Sequence, residues 1–195
     1  MMILKDEIKA EVVDNLPLQR YMFNMNLTDV LRSTMFGALD AVANDILHMP
    51  LRMPGHTSVW WMGILLVGKG VIPKFGSGII MGIVSGVLAV IFGLGKEGIF
   101  VFFKYFIPGL LIDIIAPLYR HKLESVVVGG ICGALISLSK LATSMAVGII
   151  VNIPLLFLTL GLGYVAICHV IYGAIGGVLA AIIIKRLKPR LSNWD

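Results

Sequence analysis

The chain has 195 residues, of which 58% are hydrophobic and 14% are charged. Soluble domains carry about 25% charged residues, and a globule of this length has too little interior to bury so many apolar side chains. The composition therefore excludes a soluble enzyme, a nucleic-acid-binding domain and a disordered chain, and it predicts an integral membrane protein. The net charge of +5 does not indicate a nucleic-acid partner, because the basic residues are spread over loops and helix ends.

The N-terminal segment, residues 1–26, is predicted to contain a short amphipathic helix on the cytoplasmic side. Apolar residues recur there every four positions among acids and lysines: Leu4, Ile8, Val12 and Leu16. This spacing places them on one helical face. The segment lacks the continuous apolar stretch of a secretory signal. We expect the helix to lie on the inner membrane surface or to pack against a partner helix.

Residues 27–185 are predicted to form an all-α membrane domain, a bundle of six transmembrane helices, followed by a basic cytoplasmic tail over residues 186–195. A spanning helix needs about 20 apolar residues. Apolar runs separated by Gly, Pro or charged residues predict spans at 27–48, 57–72, 75–94, 98–117, 125–151 and 161–184. Charged and amide side chains interrupt the first run, so an interfacial helix followed by five spans is the alternative.

The basic residues indicate how the bundle is oriented. With a cytoplasmic N-terminus, most of the 16 lysines and arginines fall in the inner segments, and only Arg52 and Lys96 fall in the outer loops. Cytoplasmic loops of membrane proteins carry an excess of basic residues. The distribution therefore predicts that both termini are cytoplasmic.

Small residues recur at four-residue spacing in several predicted spans. Such stripes let helix backbones approach closely in lipid. We expect most of them to be internal packing, whereas a stripe left facing lipid would be a docking surface for another membrane protein. The stripes are Ser33, Gly37 and Ala41; Gly78, Gly82 and Gly86; Gly129 and Gly133; and Gly173 and Gly177.

Motifs for covalent or metal chemistry are missing from the sequence. It contains no nucleophile elbow, no phosphate-binding loop and no HExxH zinc motif. The histidines lack metal-ligand spacing, although His48, His56 and His169 could approach one another in the fold. Cys132 and Cys168 lie within apolar runs and imply no disulfide framework. We therefore predict no catalytic residue, no metal and no cofactor.

Four ionisable residues from four predicted spans fall at one depth. At a rise of about 1.5 Å per residue, Asp40, Lys104, Lys140 and His169 each come to lie roughly 20 Å above the inner surface. Charged groups at such depth normally face a bundle interior or a water-filled cavity. One carboxylate cannot neutralise two lysines, so we predict a polar cavity open to the outside. The alternative is an ion pair that only fixes helix packing.

A second pair of charges, Lys69 and Asp113, falls near the inner surface. We expect these two side chains either to pair locally or to extend to the interface. Above the cavity, the first outer loop offers Trp60 and Trp61, which would stack on a ligand ring or form an interfacial belt. The residues predicted to bind substrate are Asp40, Lys104, Lys140 and His169 as the cavity floor, and Asn44, Arg52, His56, Trp60, Glu97 and Asn152 as its rim.

The predicted topology and the stretch KGVIPKFGSGIIMGIVSGVLAVIFGLGKEG resemble the substrate-binding S components of energy-coupling factor (ECF) transporters. The stretch is similar to the span two to span four region of the hydroxymethylpyrimidine/thiamine branch. The resemblance implies a prokaryotic cell-membrane subunit that captures a vitamin or its precursor from outside. It also implies docking, through Ser33, Gly37, Ala38 and Ala41, onto a membrane coupling subunit driven by two cytoplasmic ATPase subunits. The lysines suit a carboxylate, a phosphate or a neutral heterocycle better than cationic thiamine.

Three other functions remain open from the sequence. A stand-alone carrier or channel would need polar residues that continue to the inner face. A membrane-embedded enzyme acting on lipid would use His169 or Asp40 as a base. An assembly protein would keep the same charges for structural reasons alone.

Overall fold

The computed structural model describes residues 25–46, 55–95, 97–116, 118–119, 122–151 and 161–191. These residues form helices and turns without a β-strand, which confirms the all-α prediction for them. The helices are α1 Leu27–Ile46, α2 Ser58–Val71, α3 Ser77–Ile91, α4 Val101–Ile115, α5 Val126–Ile150 and α6 Leu162–Leu191, with a 3-10 turn at Gly98–Phe100 before α4. The amphipathic helix predicted in the N-terminal segment lies outside the described residues.

Helix length and composition support a membrane protein. Three described segments are long and apolar enough to cross a bilayer: Gly98–Ile115, Val126–Ile150 and Leu162–Pro189. The apolar helices α2 and α3 have 14 and 15 residues, which corresponds to about 21 and 22 Å. α1 has 20 residues but includes Asp29 and Asp40. The described helices therefore have the make-up of a membrane bundle, in which three qualify as spans by length and composition.

Contacts between neighbouring helices close a ring in the order α1, α3, α4, α5, α6 and α2. α2 lies toward the centre, because it also contacts α3, α4 and α5. Its buried face follows the helical period, with Trp61 and Leu65 beside Met62 and Leu66. These four side chains belong to the main apolar core.

The stripes of small residues on α5 and α6 face each other. A Cβ added at Gly173 would lie 2.6 Å from the carbonyl oxygen of Gly133, and one added at Gly133 would lie 2.9 Å from Cα of Gly177. On α3, a Cβ at Gly78 would lie 2.5 Å from the carbonyl oxygen of Gly109 on α4. These stripes are internal packing, as expected, and they let the helix backbones come close together.

The stripe on α1, which includes the predicted docking residues, is covered as well. Ser33 and Ala41 have no exposed surface, and a Cβ at Gly37 would lie 2.7 Å from the carbonyl oxygen of Met81 on α3. The absence of a side chain at Gly37 lets α1 pack against α3, so these three residues lie inside the bundle. Ala38 is half-buried. The outward face of α1 carries larger apolar side chains: Leu31, Met35, Leu39 and Val42.

Candidate functional site

A cavity of about 630 Å³ opens at one end of the bundle. The end of α1, the start of α2, the connection from α3 to α4, the start of α4 and the second half of α5 all contribute to it. Its lining residues are Asn44, Thr57, Phe92, Gly93, Leu94, Gly95, Glu97, Val101, Lys104, Tyr105 and Lys140. Four of the predicted binding residues therefore line one cavity: Asn44, Glu97, Lys104 and Lys140.

Glycines shape the wall that connects α3 to α4. Gly93 has a φ of 66°, and the N–H of Leu94 donates to the carbonyl oxygen of Ala89 at 2.9 Å. A left-handed residue after the helix and a bond back into its last turn are a common way to end a helix. Gly95 is close-packed, because a Cβ there would lie 2.6 Å from Oε2 of Glu97. The chain can therefore turn tightly at the cavity edge.

Lys104 and Glu97 form an ion pair in the cavity wall. Their side chains are 14% and 15% exposed, so they are partly screened from solvent. Glu97 precedes the 3-10 turn and Lys104 lies in the first turn of α4. The turn brings the two groups together although they are seven positions apart.

Lys140 extends from α5 between two aromatic rings. Its Nζ lies 3.9 Å from the centroid of the Trp61 ring and 4.5 Å from that of Tyr105. At these distances the ring faces attract the ammonium group. The Asn44 amide donates a hydrogen bond to the Tyr105 hydroxyl. Within the part of the chain that the structure describes, the Lys140 ammonium has neither a hydrogen-bond acceptor nor an ion-pair partner.

The other three ionisable residues that the sequence predicted at one depth lie near Lys140. It interacts electrostatically with Asp40, Lys104 and His169. Asp40 is only 2% exposed and does not line the cavity. Its Oδ1 has no hydrogen-bond partner among the described residues. The structure thus groups the four residues, with two of them in the cavity lining and Asp40 behind it.

His169 belongs to a buried hydroxyl cluster instead of the cavity lining. Its Nδ1 lies 3.0 Å from Oγ of Ser137 and 3.4 Å from Oγ of Ser58. The two serines are 3.1 Å apart and have no exposed surface. A Cβ at Gly55 would lie 3.2 Å from the His169 ring, so Gly55 packs directly on it. Asp40 and His169, predicted as part of the cavity floor, therefore lie outside the cavity lining: Asp40 is buried and His169 is half-buried.

The remaining rim residues do not join the cavity lining. Trp60 is 48% exposed and points away from the core, whereas its neighbour Trp61 is 2% exposed. Successive helical residues differ by about 100° in direction, so the two rings cannot share one surface. His56 is half-buried in the turn before α2, outside the lining. Arg52 and Asn152 lie outside the described residues.

The predicted binding residues did not include five side chains that line the cavity, nor the Trp61 ring that flanks it; the five are Thr57, Phe92, Leu94, Val101 and Tyr105. Trp61 could have been chosen by helical phase, because it falls on the same face as Leu65. Nothing in the sequence places Tyr105 opposite Trp61, since the two rings come together only when α2, α4 and α5 pack.

Lys69 and Asp113 form an ion pair at the opposite end of the bundle. Their Nζ and Oδ1 atoms are 2.5 Å apart, and neither side chain has exposed surface. Lys69 also donates to the carbonyl oxygen of Lys74 at 2.7 Å and to Oγ of Ser77 at 3.2 Å. Local pairing is thus confirmed, and Lys69 does not extend to the interface.

Asp113 also binds the start of α3. It accepts hydrogen bonds from the backbone N–H groups of Gly76 at 3.1 Å, Gly78 at 3.2 Å and Ile79 at 2.8 Å. The first N–H groups of a helix have no partner within the helix, and here the carboxylate supplies one. The cluster therefore ties α2, α3 and α4 together.

The described ranges contain no set of three His, Cys, Asp or Glu side chains arranged to hold a metal ion. His48, one of the three histidines considered as ligands, lies outside them. No known protein family, curated protein or solved structure matches this chain.

Proposed function

We propose that this chain is the membrane-embedded substrate-binding subunit of an ECF-type ABC importer. It captures a small water-soluble vitamin or precursor from outside for ATP-driven uptake. The observation that carries the proposal is a cavity of about 630 Å³ into which Lys140 presents an ammonium group that no described residue satisfies. Small-molecule sites typically measure about 300–1,000 Å³, so the cavity suits a vitamin-sized solute.

The proposed topology is six spans with both termini cytoplasmic, in the cell membrane of a prokaryote. Support comes from the exposed basic side chains of Lys122, Lys185 and Lys188, which lie at the end opposite the cavity. By the positive-inside rule this end is cytoplasmic, so the cavity faces outward. α2 and α3 are short for spans, but non-helical backbone at membrane depth is tolerated where it lines a cavity or is enclosed by protein. The connection after α3 lines the cavity.

Two features favour solute binding over the alternatives. A lipid-modifying enzyme would need an accessible base in the cavity, whereas Asp40 is buried and neither Asp40 nor His169 lines the cavity. A stand-alone carrier would need a polar path to the other end, where Lys69 and Asp113 are fully buried and bonded to each other. In the proposal, ATP is hydrolysed by two cytoplasmic partner subunits, and a membrane coupling subunit connects them to this chain.

The test is native mass spectrometry of the protein purified gently from its own membranes. We expect a bound metabolite and co-purifying coupling and ATPase subunits. Lys140→Met should lose the metabolite while folded protein is still recovered, and Lys122→Met, which removes an exposed lysine, should retain it. Repeated preparations without a metabolite or ATPase subunits would refute the proposal. A metabolite retained by Lys140→Met would refute the site.

A further inference from the structure

We propose that the cavity binds a small organic acid with one negative charge, and that the Lys140 ammonium group recognises its carboxylate. This inference rests on the proposed function, because it names the class of solute that the binding subunit takes. It is carried by the charge balance of the cavity wall, by the surroundings of Lys140 and by the position of Asp40.

The described cavity lining holds one positive charge without an ion-pair partner. Its charged residues are Glu97, Lys104 and Lys140. Glu97 and Lys104 are paired with each other, so their charges largely cancel for a solute in the cavity. The charge of Lys140 remains, and it attracts a solute of opposite sign.

The surroundings of Lys140 leave its hydrogen-bonding capacity unused. A lysine ammonium has three N–H donors, and among the described residues none of them meets an acceptor. The rings of Trp61 and Tyr105 hold the group by their π faces but do not replace an oxygen acceptor. A carboxylate entering from the cavity would supply the missing acceptors and the opposite charge at once.

Asp40 sets a limit on the charge of the solute. It lies close enough to Lys140 to interact electrostatically, yet the two make no ion pair among those within 4.0 Å in the described chain. Being 2% exposed, Asp40 cannot take the place of a solute carboxylate in the cavity. Its carboxylate disfavours a second negative charge on the solute. The site should therefore prefer a monoanion to a dianion.

The experiment uses three probes with the same ring: cyclohexanecarboxylate, cyclohexanecarboxamide and cyclohexane-1,4-dicarboxylate. Each is titrated at neutral pH and constant ionic strength into the full chain in detergent. The chain has three tryptophans, so Trp60→Phe with Trp194→Phe leaves the fluorescence of Trp61, beside Lys140, as the readout. We expect the monocarboxylate to bind at least about tenfold more tightly than either other probe, equivalent to about 1.4 kcal/mol.

Variants assign the preference to the ammonium group. Lys140→Met should abolish the preference for the monocarboxylate, whereas Lys140→Arg should keep it. Lys122→Met should leave the preference unchanged. The inference is overturned if the carboxamide binds as tightly as the carboxylate, if Lys140→Met keeps the preference, or if no probe binds at its solubility limit.

The two proposals fail in different ways. If native mass spectrometry identifies an uncharged metabolite, the proposed preference for a monoanion is refuted, whereas the proposed role as a substrate-binding subunit is still supported. Preference for the monocarboxylate in a protein that never co-purifies with ATPase subunits would support the charge assignment and count against the importer.

Discussion

Replacing Lys69 with methionine removes one charge from an ion pair that has no exposed surface. Asp113 then keeps its backbone donors from the start of α3 but loses its counter-charge. Removing one partner of a buried pair costs about 3–5 kcal/mol, because the other charge is left uncompensated. We expect Lys69→Met to lower the free energy of unfolding by about that amount, a large part of the roughly 5–15 kcal/mol that stabilises a typical domain.

Substitutions of Asp113 separate its charge from its hydrogen bonds. Asp113→Asn keeps an oxygen acceptor but leaves the Lys69 ammonium buried, so its cost should be similar to that of Lys69→Met. Asp113→Ala also leaves three backbone N–H groups without an acceptor, and each unsatisfied group costs about 1–3 kcal/mol of stability. This variant should therefore be the most destabilising. The double variant Lys69→Met/Asp113→Asn removes both charges, so it should lose less stability than the sum of its single variants.

The assay is equilibrium unfolding in mixed micelles of mild detergent and dodecyl sulfate, followed by circular dichroism. The matched control is Lys188→Met, which breaks the ion pair between Lys188 and Glu124. The side chain of Lys188 is 61% exposed and that of Glu124 is 38% exposed. Exposed pairs contribute about 0–1 kcal/mol, so this variant should unfold almost like the native chain. If Lys69→Met and Lys188→Met cost the same, the burial argument is refuted.

Two further predictions use the same assay. Gly133→Ala should cost about 1–3 kcal/mol, because its Cβ meets the backbone of α6 in a tightly packed contact. The control is Gly148→Ala on the same helix, where nothing lies within 4 Å of the added Cβ. It should leave the free energy of unfolding unchanged or raise it by up to about 1 kcal/mol. Equal losses of stability in the two variants would contradict the close contact at Gly133. Ser137→Ala should cost about 1–3 kcal/mol, because it removes the nearer hydroxyl from His169. The control is Ser139→Ala, because the Ser139 hydroxyl donates only to the carbonyl oxygen of Ile136 in its own helix. This variant should lose about 0.5 kcal/mol of stability or less. A loss as large as that of Ser137→Ala would count against the hydroxyl cluster around His169.

Much of the helical framework could be predicted from the sequence. Long apolar runs must satisfy their backbone groups internally, which favours helices, and the runs at 125–151 and 161–184 correspond to α5 and α6. α6 continues to Leu191, beyond the predicted span, because charged residues can extend a helix outside the apolar region. α2 and α3 are shorter than a full span, and Pro73, Gly76 and Gly93 lie just beyond their ends.

Composition and periodicity were enough to predict an apolar helical protein, and the fixed rise per residue of a helix predicted that four ionisable residues lie at one depth. The tertiary structure decided the rest, because depth says nothing about the direction in which a side chain points. The orientation of each helix about its own axis places Lys140 in the cavity lining and Asp40 outside it. The orientation of α2 likewise places the ring of Trp61, and not that of Trp60, against the Lys140 ammonium group. Small residues likewise permit a close approach, but only packing decided that α3 covers Gly37.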